Sequence, residues 1–230
     1  MSDGSIYQKT ALPNGLRIVT EKIPSVRSIS LGVWFDVGAR NETPPENGVT
    51  HMIEHMLFKG TKKRSAFDIS SEIENLGGSL NAFTSREQTC YLARVMYEHL
   101  DTAVDVLADL SQNATLTTAN LVKEKKVICE EIKESLENPS ENVYDLFALA
   151  YWGKHPLGQP ILGSIETVSE MPRSRLVSYM KRNYKSNSIV IAASGAISHD
   201  KLVRLVKQKF NFEKGSAESA PPAKRTQERS

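Results

Sequence analysis

One nine-residue stretch, Thr50-His51-Met52-Ile53-Glu54-His55-Met56-Leu57-Phe58, constrains this chain more than any other. Wound as a helix at about 100° per residue, it puts His55 roughly 40° and Glu54 roughly 300° from His51, so three polar groups share one face. Met52, Ile53, Met56 and Leu57 form a continuous apolar arc opposite them. An apolar arc alone describes any helix laid on a core. Here the other face carries two imidazoles and a carboxylate, with Phe58 beside them, where a solvated helix carries lysines and serines. Two histidines one turn apart can both reach one zinc ion at about 2.0–2.1 Å. A carboxylate next to the second histidine is placed to take a proton from a water that the metal polarises.

A long helix expected over about Ala119 to Glu137 supplies the third group. With Glu131 at zero, Lys123, Lys126, Glu130, Lys133, Glu134 and Glu137 fall between about 200° and 300°, an ordinary solvated face. Glu131 lies outside that arc, between Val127 and Ile128, and Glu124 sits almost directly beneath it two turns earlier. A carboxylate on the apolar side of a helix is costly unless paired or bound to metal. Lys125 also leaves the polar face, but its long stem can snorkel. Glu131 is therefore the candidate third ligand, and Glu124 a supporting acid behind the metal. Two neutral histidines and one carboxylate leave zinc residual positive charge and an open coordination position. The same donors also suit manganese and cobalt.

The rest of the chain frames these helices. Asn14-Gly15 marks a turn between strands at about 7–12 and 16–21. A strand is expected over 28–37, then a polar, Pro-containing loop from Asn41 to Asn47, then the histidine helix, ending before Gly60. Phe67 to Leu76 reads as a helix closed by Gly77-Gly78, and 79–84 with 88–96 as a strand pair. Helices follow at about Leu100 to Ser111 and Ala119 to Glu137, the latter stopped by Asn138-Pro139, and at Glu141 to Tyr151. Helices at Ser174 to Tyr184 and His199 to Phe210 flank an apolar strand, Ser188 to Ser194. This order predicts an α+β two-layer sandwich, an antiparallel-rich mixed sheet with helices on one face. The division expected is a domain over 1–212 and a linker or tail over 213–230, where Ser, Ala, Pro and charge replace periodicity.

With 29 basic against 27 acidic residues, the net charge of +2 points to neither a nucleic acid nor a membrane surface as partner. No apolar run approaches the roughly 20 residues that span a bilayer. The two cysteines, Cys90 and Cys129, have no metal-type spacing and fit a reducing compartment. The segment MSDGSIYQKT carries no secretion signal, so the cytoplasm is the default expectation.

His-x-x-Glu-His is the inverse of the commoner His-Glu-x-x-His zinc motif. Together with the glutamate of VICEEI it resembles the pitrilysin/insulinase metallopeptidase family, and within it the processing-peptidase branch. LPNGLRIV, GVWFDVGARNE, GGSLNAFTSREQTCY and HPLGQPILG agree, in order, over about residues 7–210. The resemblance implies a zinc endopeptidase with His51, His55 and Glu131 as ligands, Glu54 as general base and Glu124 organising the site. It implies an extended peptide substrate along a sheet edge, with Asn81, Ala82 and Phe83 as contacts, and Glu141 and Asp145 receiving an arginine near the cut. It also implies a second half-domain as partner, in the same chain or another.

Two other readings share parts of the pattern. An S-ribosylhomocysteine lyase has the same inverted motif with a cysteine as third ligand, and Cys129 is the residue to compare. Core subunits of respiratory complexes share the fold without catalysis, having typically lost ligands or base. All four key groups persist here.

Overall fold

A computed structural model describes residues 6–218. Six strands form one sheet: β1 (Ile6–Ala11), β2 (Arg17–Lys22), β3 (Ser28–Phe35), β4 (Ser79–Thr84), β5 (Thr89–Met96) and β6 (Ile189–Gly195). The helices are α1 (Val49–Leu57), α2 (Ala66–Glu74), α3 (Leu100–Asn113), α4 (Thr118–Glu137), α5 (Pro139–Trp152), α6 (Ile165–Glu170), α7 (Arg173–Asn183) and α8 (His199–Lys209). The strand order is β1-β2-β6-β3-β5-β4. Among the described residues only the β2–β6 pair is parallel; the other ladders are antiparallel. The expected α+β sandwich with an antiparallel-rich sheet is what forms.

Alternation along the strands decides which face is covered. Ile29, Leu31, Val33 and Phe35 of β3, Tyr91, Ala93 and Val95 of β5, and Ile189, Ile191 and Ala193 of β6 are buried on the helix side. Met52, Ile53, Met56 and Leu57, the apolar arc of the histidine helix, lie in the same core, each at most 1% exposed. Burying such a side chain contributes about 1.5–3 kcal/mol, which is what fixes the polar face of α1 outward, away from the sheet. The opposite sheet face carries Ser30, Gly32, Trp34, Leu92, Arg94 and Ser194 around a shallow hollow of ≈ 360 Å³.

Asn138-Pro139 serves both neighbouring helices. Asn138 ends α4, then its side chain accepts from Ser140 N at 3.0 Å as the N-cap of α5, with Pro139 in the first turn. The third helix of that region therefore begins two residues before the expected Glu141. The short α6 was not expected; Ser164 and Thr167 cap it reciprocally. Beyond Phe212 the chain continues as a bonded segment: Ser186 N donates to Glu213 O at 3.0 Å and Glu218 N to Asn183 Oδ1 at 3.1 Å. The remainder of the expected linker, 219–230, lies outside the described residues.

Arg64, 5% exposed, ties the α2–α3 corner together. Its guanidinium donates to Glu72 at 2.8 Å, Asp105 at 2.6 Å and Asp109 at 2.9 Å. Removing one side of a buried charge network strands the other, so Arg64→Met is expected to cost about 3 kcal/mol or more in urea unfolding. Burial would raise the Asp105 carboxyl, but Lys209, Lys63 and Arg64 outweigh it and hold it below its ordinary value of 3.8; Asp109 is lowered similarly by Thr61 and Arg64 against its burial. A depressed folded value means the stabilisation is present above the unfolded value and lost as pH falls through the folded one. The protein should hold to below about pH 4, and Arg64→Met should move the acid midpoint upward.

Candidate metal centre

The start of α1 is built by a residue outside it. Gly48, at the N-cap, has φ 89° and no side chain to cap the helix. A Cβ there would lie 2.7 Å from Leu162 O, so glycine is required by space as well as by φ. Glu42, 3% exposed, does the capping from the preceding loop. Its Oε2 accepts from Gly48 N at 2.8 Å and Asn47 Nδ2 at 2.9 Å, and its Oε1 from Thr50 N at 2.8 Å. Burial pushes the carboxyl up to about 7 against the pull of those donors. Thr50 then donates to Tyr179 Oη at 3.0 Å, pinning α1 to α7. Glu42→Ala leaves two buried backbone N–H groups without an acceptor, and chemical unfolding is expected to show a loss of about 3 kcal/mol.

The outward face of α1 meets α4. One ligand atom each from His51, His55 and Glu131 lie within 4.8 Å of one another, close enough to share a cation. The His51 and His55 rings sit 4.6 Å apart between centroids. His55 Nε2 is 3.6 Å from Glu131 Oε2, while its Nδ1 lies 3.1 Å from Glu124 Oε2. Glu124, 5% exposed, is in turn paired with Lys59 Nζ at 2.9 Å. A carboxylate on Nδ1 fixes the imidazole tautomer that leaves Nε2 bare, the usual arrangement behind a metal-binding histidine. Of the two α4 acids beside His55, Glu124 is thus the deeper, with Glu131 half-exposed.

Two observations fit a divalent cation to these residues. His51 Nδ1 is buried with no hydrogen-bond partner. Burial, with His55 adding to it, pushes the His51 imidazole down to about 3, so the ring is neutral and offers a lone pair. Two neutral imidazoles and a carboxylate are a donor set suited to zinc. Cys129, by contrast, faces α6, 3.5 Å from Ser169 Oγ, and Lys125 likewise donates to Ser169 O at 2.8 Å.

Glu54 stands beside the triad. Its Oε2 accepts from Thr84 Oγ1 at 2.5 Å, which leaves Oε1 available. Burial raises its carboxyl above the ordinary range, opposed by Thr84 and His55. Thr84 ends β4, the terminal strand of the sheet, so the hydrogen bond brings Glu54 to a strand edge. Ala82 lines hollows on both sides of Glu54, one of ≈ 430 Å³ with His51, one of ≈ 280 Å³ with His55. Asn81 lines the smaller one and accepts from Ala82 N at 2.8 Å. Phe83 is 42% exposed and packs edge-on against Trp34, 5.5 Å away, while also bordering the larger hollow. Glu141 and Asp145, from α5, line that hollow too. Asp145 is not open, however: it pairs with Arg86 Nη2 at 2.7 Å.

Helical spacing singles out His51, Glu54, His55 and Glu131, which the fold brings together, but it does not point to Glu42, Thr84, Lys59 or Arg86. A Glu six residues before the helix-opening Gly-Val, and a Thr ending an edge strand, are signals only once the fold has brought them to α1.

The chain matches the model of the insulinase family, peptidase family M16, over residues 17–165. It is 45% identical over 216 residues to an uncharacterized zinc protease of Streptomyces coelicolor, covering 94% of this chain and 47% of that protein. It is 42% identical over 221 residues to the mitochondrial-processing peptidase subunit beta of Bos taurus, covering 94% of this chain and 45% of that one. It therefore spans about half the length of the curated relatives it matches. Its fold is that of a protease from Helicobacter pylori, at a TM-score of 0.87 and 24% identity, covering 94% of this chain and 53% of that chain. A chain of complex III2 from Candida albicans has a TM-score of 0.82 at 24% identity, over 95% and 50% of the two chains. This chain is a member of the insulinase family of peptidases, M16.

Proposed function

We propose that this chain is the catalytic half of a zinc endopeptidase that cleaves peptides laid along β4. The observation that carries this reading is the convergence of His51, His55 and Glu131 within 4.8 Å, beside Glu54 and a terminal strand. Zinc, when bound, supplies a Lewis acid for the scissile carbonyl. Glu54 takes the proton of the attacking water on Oε1 while Thr84 holds Oε2, and later gives that proton to the leaving amine. Glu124 holds the His55 tautomer and does not itself exchange protons with substrate. β4 offers its free edge to an extended peptide, whose backbone would take over Ala82 N from the Asn81 side chain. Ala82 and Phe83 border the places for side chains near the cut, and Glu141 with Asp145 supplies negative charge on the α5 side.

The relatives are about twice as long, so the reading includes a second half-domain, joined through 213–230 or supplied by another chain. Six large apolar residues of α5 (Val143, Tyr144, Leu146, Phe147, Leu149 and Tyr151) are each at least 44% exposed, which favours such a partner. A purely structural role would not need Glu54, Thr84 and an orphaned His51 nitrogen kept together.

The test is hydrolysis of a quenched-fluorescent peptide library by the zinc-loaded chain, alone and with the C-terminal half of the Streptomyces coelicolor relative added. Cleavage that a chelator stops and zinc restores is expected. A folded, zinc-loaded protein inert in both forms would contradict the assignment.

A further inference from the structure

The larger hollow beside the metal centre is acidic, yet one of its acids is already taken. Glu54, Glu141 and Asp145 line it, and Arg86 is its one permanently cationic side chain among the described residues. Arg86 Nη2 sits 2.7 Å from Asp145 Oδ1, with the two side chains 24% and 35% exposed. The pair shows that Asp145 accepts a guanidinium in the space a peptide on β4 would enter.

The backbone beneath Arg86 is fixed. Ser85 O accepts from Ala39 N at 3.2 Å, Arg86 O from Arg40 N at 2.8 Å, and Ser85 N donates to Gln88 O at 2.8 Å. A Cβ on Gly38 would lie 2.5 Å from Ser85 O, so this glycine lets the hairpin tip seat against the loop. The Arg86 side chain has a second anchor independent of Asp145: Nε donates to Leu157 O at 3.1 Å. The Nη2 end can therefore leave Asp145 while the hairpin, including Thr84 two residues away, stays in place under Glu54.

We propose that Arg86 holds, in the peptide-free protein, the place on Asp145 that a cationic side chain of the bound peptide takes over. This rests on the peptidase reading above. Arg86 then acts as an internal competitor: it keeps Asp145 paired when the cleft is empty and sets a threshold that only a well-placed arginine or lysine overcomes. A neutral side chain makes no exchange and is untouched by Arg86, so the pair tempers the affinity of cationic peptides alone, without moving the catalytic groups.

The test uses zinc-loaded protein carrying Glu54→Gln to prevent cleavage, and two labelled peptides differing only by arginine or its uncharged isostere citrulline. Anisotropy titrations compare Arg86 with Arg86→Gln. A partly exposed ion pair is weak, so Arg86→Gln should tighten the arginine peptide about three- to fivefold and leave the citrulline peptide unchanged. Adding Asp145→Asn should abolish the effect of Arg86→Gln on the arginine peptide. Equal weakening of both peptides by Arg86→Gln would make Arg86 a simple brace and overturn the proposal, as would an unchanged affinity for the arginine peptide. Arginine amide, followed at the Arg86 Nε–H resonance, tests the exchange without any peptide. A shift that Asp145→Asn abolishes is expected, and an Arg86 signal untouched at saturation would refute the exchange. If no peptide binds but the resonance responds, the peptidase reading fails while the exchange stands.

Discussion

Glu54→Gln is expected to lower peptide hydrolysis by about 10²–10⁴-fold while leaving zinc bound, because it removes a proton acceptor and nothing else. The substitution is nearly isosteric. A glutamine oxygen can still accept from Thr84 Oγ1, and the triad of His51, His55 and Glu131 loses no ligand. The loss should fall on kcat, since the base acts on the attacking water and not on the peptide in its ground state. Thr84→Val complements it: Glu54 keeps its charge but loses the bond that orients it, so a smaller loss is expected. If Glu54→Gln cleaved within about tenfold of the parent protein, another group would have to be the base.

The second large effect concerns Glu124, which touches no substrate in this account. Its carboxylate receives His55 Nδ1 at 3.1 Å and Lys59 Nζ at 2.9 Å while 5% exposed. Glu124→Gln removes the carboxylate that fixes the His55 tautomer and ring orientation, and zinc affinity should fall about 10–100-fold. Calorimetric zinc titration measures this directly. A merely structural role predicts the opposite split, a lower melting temperature with unchanged zinc affinity. Lys59→Met in the Glu124→Gln background then removes a lysine left without its carboxylate and should recover stability but not zinc affinity.

Much of this site could be read from residue order, for physical reasons. Helical periodicity fixes which side chains share a face, so His51, Glu54 and His55 were placed together by spacing, and Glu131 was singled out because it breaks the polar stripe of α4. The buried arc of α1 then confirmed which way that face turns. Other features depend on contacts between distant segments, which periodicity does not encode. β6, the last strand among the described residues, inserts between β2 and β3 and makes the only parallel ladder among them. Glu42 looks like a loop charge until the fold carries it under Gly48. Asp145 reads as a solvated helix residue or as an open acid, and the β4–β5 hairpin gives it Arg86 instead. Asn138-Pro139 reads as a stop because proline disfavours helix in the residue before it; the same pair is a good helix start.

The most direct test of the central claim is a zinc titration of the chelator-stripped chain, followed by calorimetry and by elemental analysis after dialysis. The account predicts one zinc per chain, lost when His51, His55 and Glu131 are each replaced by Ala, Ala and Gln, with circular dichroism unchanged. Folded protein that binds no zinc, or that binds it equally well without those three side chains, would contradict it.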